Sequence, residues 1–269
     1  MKVEGKVFVV TGGGNGIGRE VVLELLRRGA KVATLDLSSD GLKETSALAK
    51  SDSLSTHEVN IADLGQVVKA KEAIIAIHGN VDGVINVAGI IQPFIRVSDL
   101  NFDQIKLVMD VNFYGLLHVT KTFLPELISR PEAHIANVSS MGGFVPVPGQ
   151  TIYGASKAAV KLLTEGLHSE LQGTGVGVTT IFPGAVSTNI AVNSKIMSEE
   201  QMKEMASKGG PQRKAVSAPD AAKQIIEGIE KKSFHVIIGQ DSKTMYLLSR
   251  LMPERAANLI YQNMKDLLG

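Results

Sequence analysis

The strongest constraint on how this chain can fold is an eight-residue turn, Thr11-Gly12-Gly13-Gly14-Asn15-Gly16-Ile17-Gly18, set between segments of different hydrophobic period. Before it, Val7-Phe8-Val9-Val10 is a short β-branched and aromatic run of strand character. After it, Arg19 to Arg28 carries Val21, Val22, Leu25 and Leu26 at helical spacing. Strand, turn and helix in that order let the backbone amides of a glycine-rich loop meet an anion at a helix N-terminus. The turn lacks a G-K-[ST] ending, which argues against a P-loop nucleotide hydrolase.

The same alternation recurs along the chain. Strand-like runs follow at Lys31–Leu35, ending at Asp36, and at Leu54–Val59, Val81–Val87, His134–Val138, Val176–Phe182 and His235–Ile238, making seven in all. Amphipathic helices are expected between them, notably over Asp63–His78, Asn101–Ile128 and Tyr153–Leu171, which is the pattern of parallel crossovers. The expectation is an α/β, doubly wound, seven-stranded parallel sheet. At 269 residues and 44% hydrophobic composition, without internal repeats or low-complexity linkers, residues 1–269 read as one domain.

From Ser242 onwards, Met245, Leu248 and Met252 recur at helical spacing, and Pro253 can start a second helix carrying Ala257, Ile260, Met264 and Leu267. This extension, 242–269, can pack on the body or a neighbouring subunit, shape a substrate entrance, or touch a membrane surface through Lys243, Arg250, Arg255 and Lys265.

The 28 Lys plus Arg against 27 Asp plus Glu provide no basic field for nucleic acid, so a small-molecule partner is expected. The chain has no cysteine, hence no disulfide or thiolate chemistry. Its six histidines contain no H-x-x-x-H pair, and no metal is expected. The amino terminus enters a strand-like run without an apolar leader, and no stretch approaches the roughly 20 apolar residues that span a bilayer, so the cytoplasm is the simplest location.

Tyr153 and Lys157 stand four residues apart in Y-G-A-S-K, on one face of a helix, thirteen residues after Ser140. A tyrosine with a pKa of about 10 is a poor base at neutral pH, but a nearby ammonium favours its phenolate. Each residue alone has an ordinary structural reading, as a half-buried helix residue, a solvated charge or a turn hydroxyl. The joint spacing of these residues with the glycine turn resembles the short-chain dehydrogenase/reductase family, over Lys6 to about Gly239.

That resemblance implies hydride transfer. It gives Tyr153 the role of general acid/base, Lys157 that of electrostatic partner and nicotinamide-ribose anchor, Ser140 that of donor to the substrate oxygen, and Asn112, in Asn-Phe-Tyr-Gly, that of organiser of a proton relay. Gly12, Asn15, Gly16, Ile17 and Gly18 match the family's T-G-x-x-x-G-x-G variant of the Rossmann fingerprint. Asp36, at the end of the second strand, can accept hydrogen bonds from the adenosine ribose and would repel a 2′-phosphate, and Asn15 supplies no compensating cation, so NAD is expected rather than NADP. Asn60 and Ile61 resemble the adenine-contacting pair, although many relatives have Asp at the first position. Asn86, Ala88 and Gly89 resemble the N-A-A-G element that stabilises the sheet and frames the cofactor. Pro183, Gly184 and Thr188 resemble the P-G-x-x-x-T turn that meets the carboxamide. A homo-oligomer, commonly a tetramer built on helices matching Asn101–Ile128 and Tyr153–Leu171, is also implied by resemblance.

The segment Met141 to Gln150 carries no charge, which fits a neutral apolar alcohol or ketone; Gln92-Pro-Phe-Ile95, Ile190, Val192, Ile196, Met197, Met202 and Met205 are candidate wall residues. A non-catalytic dinucleotide-binding sensor on the same fold is the alternative, though a sensor needs the glycine turn and not the proton-transfer residues.

Overall fold

The computed structural model of the protein describes residues 1–188, 190–194, 196, 200 and 215–268. Its strands are β1 (Val7–Thr11), β2 (Lys31–Asp36), β3 (Leu54–Glu58), β4 (Gly83–Asn86), β5 (Ala133–Val138), β6 (Val176–Pro183), the short pair β7 (Val186–Ser187) and β8 (Val216–Ser217), and β9 (His235–Ile238). Seven of them form one sheet in the order β3-β2-β1-β4-β5-β6-β9, every pairing parallel. The helices are α1 (Gly16–Arg27), α2 (Ser39–Ala49), α3 (Leu64–His78), α4 (Phe102–Met109), α5 (Leu116–Ile128), α6 (Thr151–Glu170), α7 (Ile190–Asn193), α8 (Ala218–Glu230), α9 (Gln240–Leu251) and α10 (Pro253–Met264).

Alternate strand residues feed different cores, as a pleated strand buried on both faces requires. Val7, Val9, Ala33, Leu35 and Ile135 pack with Val67 and Ile74 of α3, Phe123 of α5 and Leu167 of α6. Phe8, Val10, Val32, Ala136 and Val138 pack with Val21 and Leu25 of α1 and Ile225 and Ile229 of α8. The sheet is thus doubly wound, and its strand order reverses between β1 and β4, where open α/β sheets bind ligands beyond the strands' carboxyl ends. Among the described residues no helix is long and apolar enough to cross a membrane.

The span expected as one helix over Asn101–Ile128 is α4 and α5 joined by a π-helical turn, Asp110–Gly115. The wider turn brings Asn112 into the interior, fully buried, where its side chain bonds the Ile90 peptide. Helical periodicity does not register one extra residue, whereas a tertiary hydrogen-bond partner can stabilise it. The carboxyl-terminal helices dock on the body: Met245, Ala256 and Ile260 are buried with Val145, and Met141, Phe144 and Val147 pack against them. Met197, Met202 and Met205 lie outside the described residues.

His134, buried on β5, has a decided protonation state. Its Nε2 lies 2.9 Å from Thr179 Oγ1, whose own proton goes to the Ser233 carbonyl at 2.6 Å. The imidazole must therefore donate from Nε2, leaving Nδ1 buried without a partner among the described residues. Desolvation holds its pKa down to about 3. Between pH 6.5 and about 3 the unfolded chain binds a proton here that the fold refuses, so stability falls as pH falls through that window. In urea titrations between pH 6 and 4, His134→Leu should therefore lose stability less steeply than wild type, by up to about 1.4 kcal/mol per pH unit. Parallel slopes would reject this role.

Candidate active site

A cleft of about 650 Å³ opens at the switch point, lined by Gly12 and Gly14 to Arg19, by Leu35 to Ser38, by Asn60 and Ile61, by Val87 to Ile90, and by Thr188. The glycine turn can be this tight only without side chains: a Cβ on Gly18 would lie 2.0 Å from the Gly12 carbonyl oxygen. Asn15 caps α1, its side chain accepting from Gly16 N at 2.6 Å. Thr11 Oγ1 accepts from Val87 N at 3.1 Å and Ala88 N at 3.2 Å, fixing the turn to the segment after β4.

Asp36 ends β2 on the rim of this cleft. Its carboxylate accepts from Gly14 N and Ser38 N, each at 2.8 Å. Among the lining residues not singled out from the sequence for the cleft are three charged ones: Asp40, Glu44 and Arg19. Arg19 is already committed, donating to Thr45 Oγ1 at 3.0 Å, to Glu44 at 2.6 Å and to the Gly14 carbonyl. The available signal was Gly41 in the first turn of α2, where a Cβ would stand 2.7 Å from the Gly14 oxygen, so that α2 approaches the glycine turn and brings Asp40 and Glu44 with it.

Asn60 lines the cleft with its side-chain oxygen capping Ala62 N at 3.1 Å, and Ile61 is nearly buried beside it. Asn86 is not a lining residue: buried, it donates to Thr120 Oγ1 at 3.0 Å and Asn137 Oδ1 at 2.8 Å, tying β4 to β5. Pro183 and Gly184 also stand off the cleft lining; Pro183 is paired with Ile238 of β9, and Ala185 N donates to Asp241 at 2.7 Å. Thr188 lies directly over the turn, 3.5 Å from where a Gly16 Cβ would stand.

Ser140, Tyr153, Lys157 and Asn112 come together beside Gly89 and Ile90 rather than on the cleft lining itself. A Cβ on Gly89 would be 3.0 Å from Lys157 Nζ and 3.2 Å from Asn112 Oδ1, so this glycine admits both groups to the cleft's inner end. Lys157 is buried on α6, and its Nζ donates to the Val138 carbonyl at 3.0 Å and lies 5.9 Å from the Tyr153 ring centre. Burial lowers the Lys157 pKa to about 8. Burial also raises that of Tyr153, while a hydrogen bond from Ser140 opposes the rise. Desolvation outweighs that hydrogen bond, so the phenol's pKa moves up rather than down as expected beside the ammonium. Ser140 Oγ accepts from Gly142 N at 3.0 Å, so its one proton serves the Tyr153 oxygen and can turn to a substrate oxygen. Ser139 is spent, donating to the Lys157 carbonyl at 2.7 Å.

Asn112 uses its whole side chain: Nδ2 donates to the Ile90 carbonyl at 2.9 Å and Ser156 Oγ at 3.0 Å, and Oδ1 accepts from Ile90 N at 2.8 Å. Any relay it organises must run through its backbone or through what it braces. Ser156 stands inside Y-G-A-S-K but was not singled out there; its hydroxyl also donates to the Tyr153 carbonyl at 2.7 Å.

Residues 6–199 match the family model described as short chain dehydrogenase. The "Putative oxidoreductase SadH" of Mycobacterium tuberculosis is 36% identical over 262 residues, 96% of this chain and 94% of that protein. Among solved structures, a short chain dehydrogenase/reductase from Burkholderia phymatum in complex with NAD superposes with a TM-score of 0.83 at 25% identity, covering 94% of this chain and 95% of that one. Levodione reductase does so with a TM-score of 0.79 at 25% identity, covering 88% and 98%.

Proposed function

Because the chain belongs to the short-chain dehydrogenase/reductase family and is an oxidoreductase of that kind, we propose that it transfers hydride between NAD(H) and a neutral, hydrophobic secondary alcohol or ketone. The observation that carries this reading is the Tyr153–Ser140 hydroxyl pair beside the Lys157 ammonium, at the inner end of a glycine-cradled cleft. The cleft's chemistry fits a dinucleotide: amides at the α1 N-terminus for pyrophosphate, Asp36 for the ribose diol, and Ile61 with Asn60 for the base. The Burkholderia relative's bound NAD supports the same choice.

When bound, the nicotinamide accepts or donates the hydride. Ser140 turns its proton from the Tyr153 oxygen to the substrate oxygen and holds it near the phenol. Tyr153 takes the hydroxyl proton in oxidation and returns it in reduction. Lys157, protonated at neutral pH and largely shielded from water, stabilises the phenolate between those events. Asn112 holds the Ile90 peptide, and with it the wall facing Lys157. The exposed apolar side chains Phe102 and Leu107 of α4 and Leu162 of α6 support self-association through those helices, as a tetramer by analogy with the family.

Ile90, Val111 and Ile190 line the inner cleft, and the segment Met141 to Gln150 has no charge to solvate an anion. An apolar ligand gains about 25 cal/mol per Å² buried, whereas a carboxylate there would be poorly paired. In a panel of secondary alcohols and ketones followed by NADH absorbance, neutral hydrophobic members should show higher kcat/KM than matched anionic ones, by about tenfold or more for each 1.4 kcal/mol of difference. A preference for phosphorylated or carboxylated members would overturn the pocket reading. Absence of turnover across a broad panel would favour the sensor alternative.

A further inference from the structure

The residues after β4 are each fastened to a different piece of the site. Gly89 faces Lys157, Ile90 is clamped by Asn112, and Ile91 N donates to Ser194 Oγ, just past α7, at 3.0 Å. Gln92 is the next residue, and it is almost wholly buried. Its Oε1 accepts from Ile152 N at 2.8 Å and from Tyr153 N at 3.0 Å. Its Nε2 donates to the Gly149 carbonyl at 2.8 Å, and its own carbonyl accepts from Gln150 Nε2 at 2.6 Å.

These bonds answer a defect in α6. The first amides of a helix have no partner within the helix, and a Ser, Thr, Asp or Asn at the N-cap normally supplies one. In α6 the N-cap is Gln150, which makes no side-chain cap bond. The missing acceptor arrives from a residue 61 positions before Tyr153 in the chain and engages the peptide N–H of Tyr153 itself. First helical turns fray unless capped, and the phenol that must meet Ser140 and a substrate oxygen is carried on this one.

We propose that Gln92 is a positioning residue for the reaction: a remote N-cap for α6 that fixes the backbone of Tyr153, and with it the reach of the phenol. The inference rests on Tyr153 acting as the acid/base assigned above. Because Gln92 is continuous with the clamped Ile90 and Ile91, it holds Tyr153 in register with Lys157 through main-chain geometry, without touching substrate or cofactor.

The test uses Gln92→Met, which keeps the side chain's length and loses both acceptor and donor, and Gln92→Glu, which keeps an oxygen facing Ile152 N and Tyr153 N. Native-state hydrogen exchange over Ile152 and Tyr153 should be at least about tenfold faster in Gln92→Met. Its kcat should fall by about 10- to 100-fold while KM for NAD stays within about threefold, since a displacement near 1 Å has that cost in a reacting geometry. Gln92→Glu should recover most of both losses. Gln92→Asn, whose amide falls one methylene short, replaces Gln92→Met in both measurements if the latter does not fold, with the same losses expected. Unchanged exchange, faster exchange with kcat within about twofold of wild type, or a Gln92→Glu no better than Gln92→Met would each overturn the proposal. The exchange measurement needs no turnover, so failure of the acid/base assignment, seen as an active Tyr153→Phe, is distinguishable from failure of the cap.

Discussion

Tyr153→Phe should lower kcat by about 10²- to 10⁴-fold, the usual contribution of a positioned acid/base, while leaving NADH affinity within about twofold. The substitution removes one oxygen and keeps the ring, so α6 and its Gln92 cap are undisturbed, and Lys157 retains its bond to the Val138 carbonyl. What is lost is the hydrogen bond with Ser140 and the atom that carries the proton. Because burial raises the tyrosine pKa, the free enzyme holds a neutral phenol at pH 7, and wild-type oxidation should accelerate as pH rises while reduction does not. That asymmetry should vanish in the variant. NADH fluorescence titration gives the affinity, and initial rates on the best substrate of the panel give kcat. A variant turning over within about tenfold of wild type would remove Tyr153 from the acid/base role and return the proton transfer to another group.

How much of this was legible in the sequence depended on the range of the forces involved. The strands were legible because each is a short apolar run that stops at a turn, and His235–Ile238 is recovered with the same bounds. The glycine turn was legible because a dense set of glycines between a strand and a helix has few other uses. The π-helical turn at Asp110–Gly115 was not, since its cause is the peptide of Ile90, distant in sequence from Asn112. Gln92 read as one more residue of an apolar wall, whereas the structure buries it as a cap, because a cap supplied from another element leaves no local pattern at either end. Asn86, whose motif implies both stabilising the sheet and framing the cofactor, bridges β4 and β5 and does not itself line the cleft. Helix α2 buries only Leu42 and Thr45, too few apolar positions to mark it clearly, yet it delivers Asp40 and Glu44 to the rim.

Those rim residues sharpen the cofactor expectation. Asp36, Asp40 and Glu44 put three carboxylates on the cleft's lining; the lining cation, Arg19, is held by Glu44, Thr45 and the Gly14 carbonyl, and Lys43 is paired with Asp40 at 2.9 Å. A 2′-phosphate would bring a further negative charge to this rim, where among the described residues no uncommitted guanidinium lines the cleft to receive it. At about 6 to 8 Å and an effective dielectric near 20, one such repulsion is worth about 2 to 3 kcal/mol, on the order of 100-fold in kcat/KM. Wild type should accordingly favour NAD(H) over NADP(H) by about that factor. Asp36→Ala combined with Asn15→Arg removes the nearest charge and adds a phosphate partner, and should reverse or erase the preference. The double variant also forfeits the Asn15 cap on α1, which costs about 1 kcal/mol and depresses activity with both cofactors. The ratio of efficiencies cancels that common loss, so the ratio rather than either rate is the quantity to measure. If wild type prefers NADP(H), or if the ratio is the same in the double variant, the ribose selectivity does not reside in Asp36, and the hydrogen bonds it accepts from Gly14 and Ser38 serve only to join the glycine turn to β2.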